Sequence, residues 1–203
     1  ANPILGNSIY SNTEEGIDLS NDDVTPNDFG DGDPGPNGLQ NYPLLATAVS
    51  SGGNTTITGM LKSNASTDYR IEFFTNPSGA DGTGYGEGES LVSSVVVSAA
   101  TGLSHTFAGA PGDVITATAT HDLGGGSYGD TSEFSAAYTV SDGSLTVNST
   151  GDTADAIPGN GACDTGGTVG GAAECTLRAA IQEANASTSV DTIVFAIPDT
   201  DAG

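Results

Sequence analysis

Short segments in which apolar and polar residues alternate dominate the middle of the chain. The alternation is clearest at Ile57–Leu61, Tyr69–Phe73 and Ile115–Ala119. A period of two predicts half-buried β-strands, and turns that contain Gly, Pro, Asn or Asp separate the segments. The pattern predicts seven strands: Leu44–Val49, Thr55–Leu61, Tyr69–Phe74, Leu91–Ser98, Leu103–Phe107, Val114–Thr120 and Glu133–Val140.

This spacing of strands and turns indicates an immunoglobulin-like β-sandwich over residues 44–141. Two Gly-rich stretches, 79–88 and 124–129, are predicted as its long loops. Residues 21–43 are rich in Asp, Pro and Gly, a composition that excludes a helix or a central strand. We interpret residues 21–43 as an acidic linker.

The first twenty residues place short apolar pairs between Gly and Asn, as in Ile4-Leu5-Gly6-Asn7-Ser8-Ile9. This arrangement is typical of one rung of a parallel β-helix, and a single rung must stack on others to bury its apolar face. Residues 1–20 are therefore predicted to be the last rung of a β-helix. An irregular leader strand is the alternative.

Residues 142–203 have a different character from the sandwich. They begin with a short strand, Ser144–Asn148, and continue through a loop-rich stretch. The segment Thr176–Ala186 carries one apolar face at helical spacing and is predicted as a short helix. A strongly apolar strand, Thr192–Ile197, follows and ends at Pro198.

The charge of the chain is one-sided, with 26 acidic and 3 basic residues and a formal net charge of −23. Nucleic acid is excluded as a partner because phosphate binding needs clustered Lys and Arg, and anionic membranes are disfavoured for the same reason. No apolar run reaches the roughly 18 residues of a membrane helix, so we expect no membrane insertion. The charge makes the molecule repel itself, and divalent cations are candidates to offset this repulsion.

The densest group of acidic residues lies in residues 14–33, which contain eight acidic residues and no basic one. Asp28, Asp31 and Asp33 fall within six consecutive positions. Flexible loops of this kind supply the oxygen ligands that Ca²⁺ prefers, although the spacing of an EF-hand is not present. We predict a Ca²⁺ site at these three residues. A solvated acidic segment without a metal is the alternative.

No set of residues in the sequence indicates a catalytic site. A Ser nucleophile needs a His base, and neither His105 nor His121 lies near a Gly-x-Ser-x-Gly turn. A glycosidase needs two carboxylates in a rigid cleft, whereas most acidic residues here lie in loops. The three basic residues are too scattered for the basic groove of a polysaccharide lyase. We expect no enzymatic activity.

The segment Cys175-Thr176-Leu177-Arg178-Ala179-Ala180-Ile181, followed by Ala184-Asn185, resembles the CSLREA domain of large bacterial surface proteins. The flanking segments Leu145–Asp152 and Asp191–Phe195 fit the same family, and the chain departs from the family pattern at position 179, where the family has Glu. The resemblance implies that residues 142–203 form the N-terminal cap of a parallel β-helix. It also implies an extracellular or cell-surface location.

The N-terminal part resembles the other end of the same proteins. Gly16–Leu19, Asp23–Asp28 and Gly38–Pro43 are similar to the exit from a β-helix into an immunoglobulin-like module. The resemblance implies an overall fold that is mainly β. It consists of an immunoglobulin-like β-sandwich, flanked by parallel β-helix end pieces, with one short helix in the C-terminal cap.

In an extracellular protein, the isolated pair Cys163 and Cys175 is expected to form a disulfide. Two buried free thiols are the alternative. In the chain-entropy model, closing a loop of this length stabilises the cap by about 3 kcal/mol.

The expected function is that of a structural repeating unit of an extracellular adhesin, stalk or filament, with other copies of the chain as partners. Ile4 and Ile9 near one end, and Ile193 and Phe195 near the other, are the predicted contacts between copies, because stacking would bury both apolar ends. A head-to-tail contact of this kind builds a filament, whereas ends that simply fray are the alternative.

The alternative function is a module that binds a glycan or a surface through the Gly-rich loops. Such a site needs aromatic side chains for stacking. Within those two loops they are Tyr85 and Tyr128.

Overall fold

The computed structural model describes residues 2–65, 67–99, 101–159, 161–186 and 192–199. The chain forms two compact units, residues 1–140 and residues 141–203. The predicted boundary between sandwich and cap, after residue 141, lies one residue from the observed division.

The first unit is built from two antiparallel sheets. One sheet has the order β1-β2-β5, and the other has the order β4-β3-β6-β7, with a short β8 paired to β6. The strands are β1 Leu44–Ser51, β2 Asn54–Met60, β3 Asp68–Thr75, β4 Ser90–Ser98, β5 Gly102–Ala108, β6 Val114–Gly124, β7 Ser127–Thr131 and β8 Tyr138–Thr139.

One apolar core joins the two sheets. Ile57 of β2 and Leu103 of β5 pack in the same cluster as Ile71 and Phe73 of β3 and Ile115 of β6, and each of the five is at most 2% exposed. The apolar positions of the alternating pattern therefore face this core. The first six strands match the predicted segments with small shifts at their ends.

The predicted seventh strand over Glu133–Val140 is present only at Tyr138–Thr139, which form β8. The longer strand of this region, β7 at Ser127–Thr131, lies before the predicted range. Between these strands, Ser132 and Ser135 donate their backbone N–H groups to β6 carbonyls, and their hydroxyls accept N–H groups of β6. Side-chain hydrogen bonds thus replace part of the regular ladder, which the apolar pattern could not indicate.

The N-terminal segment does not form the predicted β-helix rung. Residues 2–20 contain one isolated bridge, from Ile9 to Gly88, and no strand. Ile4 and Ile9 pack instead against a second apolar cluster that includes Phe74 and Phe134. The apolar residues of this segment find their partners within the first unit, so they need no second rung.

Three buried glutamates hold the N-terminal segment and the residues that directly follow it. Glu72, Glu87 and Glu133 are at most 4% exposed, and each accepts one or two backbone N–H groups from residues 6–25. The four bonds are Gly6 N to Glu72 Oε2 (2.7 Å), Asn12 N to Glu87 Oε1 (3.0 Å), Leu19 N to Glu133 Oε1 (2.9 Å) and Thr25 N to Glu133 Oε2 (2.8 Å). We call Glu72, Glu87 and Glu133 the glutamate anchors.

Residues 21–43 pack closely on the first unit and are not an extended linker. A short 3₁₀ element spans Pro36–Leu39, and Gln40, Asn41 and Tyr42 are buried. The side-chain amide of Asn27 exchanges two hydrogen bonds of 2.9 Å with the backbone of Tyr42. Local side-chain bonds of Asn and Asp thus give a fixed shape to a segment whose composition excludes regular elements.

The second unit is smaller and holds the helix. Its core contains Leu145, Val147, Cys175 and Ala180, and a parallel pair joins β9 to β12. The predicted pairing of Cys163 with Cys175 is present as a disulfide. The elements are β9 Ser144–Val147, β10 Thr168–Val169, β11 Ala172–Ala173, α1 Leu177–Ala186 and β12 Thr192–Phe195.

The start of α1 follows from its cap. The hydroxyl of Thr176 accepts the backbone N–H of Ala179 at 3.1 Å, as an N-cap residue does. Ala179, in the first turn of α1, is fully buried. A longer acidic side chain would not fit there without repacking.

The described residues contain no helix with the length and hydropathy that a membrane span requires.

Candidate metal centre

The three predicted ligands come together in the first unit. One carboxylate oxygen from each of Asp28, Asp31 and Asp33 lies within 4.8 Å of the other two. Because Ca²⁺–oxygen distances are 2.3–2.6 Å, two oxygens on one Ca²⁺ lie at most about 5 Å apart. The three side chains therefore have a spacing that one Ca²⁺ can bridge.

Asn41 gives the acidic loop its shape. Its side chain accepts the N–H of Asp28 at 3.0 Å and donates to the carbonyl of the same residue at 3.0 Å. Its backbone N–H donates to Asp31 Oδ1 at 2.8 Å, and its amide group also donates to the carbonyl of Lys62, just beyond β2, at 2.6 Å. Asn41 is 2% exposed, so the loop is tied to the sandwich from a buried position.

Asp31 is the most constrained of the three aspartates. Ser63 donates to its Oδ2 atom, and the hydroxyl of Tyr69 lies 2.7 Å from Ser63 Oγ. Burial is the main cause that raises the pKa of Asp31, the charges of Asp28 and Asp33 raise it further, and the bonds from Ser63 and Asn41 lower it. Bringing the three charges together is therefore unfavourable, and a cation between them would remove this repulsion.

The remaining oxygens of the cluster are poorly satisfied by the protein. Asp33 Oδ1 is buried and has no hydrogen-bond partner in the described part of the chain. Asp28 Oδ2 accepts one long bond of 3.3 Å from the N–H of Gly32. A buried carboxylate oxygen without a donor is costly, so Asp33 Oδ1 is the atom best placed to accept a metal ion.

A second group of carboxylates was not predicted from the sequence. Burial is the main cause that raises the pKa of Glu15 to about 7, and the charges of Glu133, Asp81 and Asp18 raise it further. Three regions of the chain that are more than fifty positions apart supply these residues, so no local spacing could have indicated them. The only signal in the sequence was the general excess of acidic residues.

The predicted contact residues lie in different environments. Ile4 and Ile9 are half-buried against Phe74 and Phe134 of their own unit. In the second unit, Ile193 packs against the core that contains Leu145, whereas Phe195 is 62% exposed. The contact between copies stays a prediction.

An apolar groove runs across the second unit between α1 and β12. Leu177, Ile181, Phe195 and Ile197 line it and are each between 38% and 62% exposed. The ion pair of Arg178 with Asp152 borders the groove.

The two tyrosines of the Gly-rich loops are engaged within the first unit. The ring of Tyr85 meets the ring of Tyr42 edge to face, with centroids 5.5 Å apart. The guanidinium of Arg70 lies 6.0 Å above the ring centre of Tyr128. Both rings are half-buried, and these contacts favour a role in packing over a role as an exposed stacking surface.

The two histidines also pack against aromatic rings. His105 stacks on Phe73 with centroids 5.5 Å apart, and its Nε2 atom lies 2.8 Å from Ser93 Oγ. Burial lowers the pKa of His105. His121 lies against Tyr69, with a centroid distance of 5.6 Å.

Comparison of the chain with protein-family models, with curated proteins and with solved structures gives no match in any of the three.

Proposed function

We propose that the chain is a non-catalytic structural segment of an extracellular protein, in which Ca²⁺ at Asp28, Asp31 and Asp33 stiffens an immunoglobulin-like β-sandwich and a disulfide closes a separate cap. The convergence of the three carboxylates within 4.8 Å carries the calcium part of the proposal. It is supported by the hydrogen bonds of Asn41, which tie the same loop to the end of β2.

The order of strands supports an immunoglobulin-like sandwich. The sheet β1-β2-β5 corresponds to strands A, B and E of that fold, and the run β3-β6-β7 corresponds to strands C, F and G. The nine-residue β4 pairs with β3 as an additional edge strand.

The use of buried charge supports a structural role. Glu72, Glu87 and Glu133 each accept backbone N–H groups of the N-terminal segment. In the second unit, Glu183 accepts the N–H groups of Gly159 and Gly161. Buried carboxylates that fix loops in this way contribute to rigidity rather than to chemistry. The disulfide between Cys163 and Cys175 supports an oxidising, extracellular location.

Head-to-tail assembly is the further part of the proposal. Among the described residues, β12 pairs only with β9, so this parallel sheet has two strands. Parallel sheets normally have both of their faces covered by other elements. The exposed side chains of Leu177, Ile181 and Phe195 provide the apolar surface for such a cover. Ile4 and Ile9 already pack within the first unit. Only the exposed part of their side chains could therefore contribute to a contact between copies.

Thermal unfolding with and without calcium tests the calcium part of the proposal. Thermal unfolding in millimolar calcium and in excess chelator should differ for the wild type, because a ligand at 100 times its Kd stabilises the folded state by about 2.7 kcal/mol. Asp31→Asn should remove most of this difference. Asp22→Asn, an exposed residue of the same acidic segment, is the matched control and should behave like the wild type. An identical melting temperature of the wild type with calcium and with chelator would refute the proposed stiffening.

A further inference from the structure

The edge strand β4 carries no charge in a chain whose formal net charge is −23. Residues 90–112, which include β4 and β5, contain no Asp, Glu, Lys or Arg. The same is true of residues 34–61, which include β1 and β2. The charged side chains of the first unit therefore lie on its other strands and in its loops, whereas β4 and the whole sheet β1-β2-β5 are neutral.

The strands β4 and β5 meet at one margin of the first unit. Each is the last strand of its own sheet. His105 Nε2 of β5 lies 2.8 Å from Ser93 Oγ of β4, and Val95 and Val97 of β4 pack against the core that contains Leu103 of β5. The neutral residues of β4 therefore continue directly into those of the facing sheet.

The backbone of β4 has hydrogen-bonding groups that point away from its sheet. Among the described residues, β4 pairs only with β3. In an antiparallel ladder, every second residue directs its N–H and C=O groups toward the partner strand. The N–H of Ala99, directly after β4, donates to the carbonyl of Thr67 at 2.9 Å, so the odd-numbered residues from 93 to 99 face β3. Ser94 and Val96 therefore present their N–H and C=O groups to the open edge.

The strand lacks the features that normally protect an open edge. Native edge strands are short, carry charges, Pro or bulges, or are covered by another element. β4 has nine residues without Pro or charge, and its one irregularity lies near its start, opposite Phe73 and Phe74. None of the nine residues is buried. By contrast, β7 at the other edge of the sheet has five residues, contains Asp130 and pairs with two shifts of register.

The distribution of charge favours a second copy as the partner of this edge. Two copies repel each other through their net charge, and this repulsion is weakest where two neutral sides meet. Behind β4, Arg70 and Glu72 of β3 form an ion pair at 3.0 Å, which leaves Asp68 as the unbalanced charge of that strand. A basic partner would instead be attracted to the acidic loops. Exposed apolar side chains of β4 add to the contact, namely Leu91, Val92 and Val96 at 36–49% exposure.

We propose that β4 pairs in antiparallel orientation with β4 of a second copy, so that two first units share one continuous sheet. Ser94 of each copy lies opposite Val96 of the other, and each of these two pairs exchanges both of its N–H···O bonds. A two-fold axis relates the copies, so the contact closes as a dimer. This lateral contact goes beyond the head-to-tail assembly proposed above, because it uses the first unit only and would join filaments side by side.

Sedimentation equilibrium of the full chain in excess chelator tests the inference without any contribution from calcium. The wild type should form a reversible dimer. Val96→Lys places a charge on the edge and should raise the Kd of the dimer at least about tenfold. Leu123→Lys makes the same change in charge at a position of β6 that is 58% exposed. This matched control should dimerise like the wild type.

The lateral contact and the head-to-tail contact can be separated. Phe195→Asp changes the second unit and should keep the lateral dimer, whereas the double variant Phe195→Asp and Val96→Lys should be monomeric. If head-to-tail assembly does not occur, the wild type and Phe195→Asp form the same dimer and Val96→Lys is monomeric. The two ideas can therefore fail separately. A Val96→Lys protein that folds and dimerises with the Kd of the wild type would contradict the lateral contact.

Hydrogen exchange of the wild type supplies a test that does not depend on a variant. The amides of Ser94 and Val96 should exchange slowly at protein concentrations above the Kd and quickly below it, because their hydrogen bonds form only in the dimer. Self-association without protection of these two amides would place the contact elsewhere and overturn the inference. So would a wild type that is still monomeric at about 1 mM protein, and thus has a Kd weaker than about 1 mM.

The dependence on salt distinguishes a neutral contact from an ionic one. Raising the ionic strength from about 0.01 M to about 0.15 M shortens the Debye length from about 30 Å to about 8 Å. The repulsion between the acidic copies is then screened, whereas backbone hydrogen bonds are little affected, so the Kd of the dimer should fall. A Kd that rises with salt would show that ion pairs hold the copies together, which contradicts pairing through β4.

Discussion

Removing the disulfide of the second unit should unfold that unit and leave the first unit intact. The change is the double substitution Cys163→Ala and Cys175→Ala. The two cysteines are separated by 12 positions, and the chain-entropy model gives about 3 kcal/mol for a loop of that size. The loss of packing adds to this value, because Cys175 is 3% exposed and belongs to the core with Leu145 and Val147.

The magnitude is decisive because the unit is small. A folded unit of roughly 60 residues has a free energy of unfolding of about 3–9 kcal/mol. A loss of about 3 kcal/mol or more therefore removes a third of this stability at least and all of it at the lower end. We expect the midpoint of urea unfolding to fall strongly, with a population of unfolded cap already present in water.

The composition of the two units allows them to be followed separately. All six tyrosines lie in the first unit, whereas α1, the one α-helix among the described residues, lies in the second. Tyrosine circular dichroism in the near ultraviolet thus reports on the first unit, and ellipticity at 222 nm reports on the second unit. A double variant that keeps the 222 nm signal and the urea midpoint of the wild type would refute the reasoning. The converse control, Ile57→Ala, should affect the tyrosine signal first.

Three further changes have expected outcomes. Ile57 is fully buried in the core of the first unit, so Ile57→Ala should lower the free energy of unfolding of this unit by about 2–5 kcal/mol. Urea unfolding measures this loss, and Ser104→Ala, at an exposed position of β5, is the control that should have little effect. In excess chelator, the free energy of unfolding of the first unit should fall as pH rises from 4.5 to about 7, because folded Glu15 holds its proton more tightly than the unfolded chain does. Burial also raises the pKa values of Asp31 and Glu133, which add to this trend. Urea titrations at pH 5 and pH 8 measure the dependence, and Glu15→Gln should make it shallower. Phe195→Asp should leave the urea midpoint of the second unit nearly unchanged, because the ring is 62% exposed, but should weaken self-association in sedimentation experiments; equal sedimentation of variant and wild type would speak against a role of this ring in assembly.

The accuracy of the sequence-based prediction followed the kind of burial involved. Strands such as β2 and β5 bury one face in a common core, so their apolar residues alternate and their positions were predicted correctly. In β6, Thr116, Thr118 and Thr120 are buried as well, because other segments cover the second face of its sheet. Alternation between apolar and polar residues says nothing about such a cover.

The candidate sites differ in the same way. Asp28, Asp31 and Asp33 are neighbours in the sequence, and their convergence could be expected from local spacing. The charges of Glu133 and Asp81 act on Glu15 through the tertiary fold, which the sequence pattern did not predict in that detail. The first twenty residues were assigned to a β-helix rung on the basis of their apolar pairs, but Phe74 and Phe134 provide partners for these pairs within the unit.

The glutamate anchors have a consequence for hydrogen exchange. The amides of Gly6, Asn12, Leu19 and Thr25 lie outside every strand and helix, yet each donates to a carboxylate that is itself buried. An amide exchanges with solvent only when its hydrogen bond opens. These four amides should therefore exchange as slowly as those of an edge strand, while amides of the same segment that donate to no acceptor exchange quickly. Such isolated slow amides would reveal a stretch of chain that side chains, rather than a β-ladder, keep closed.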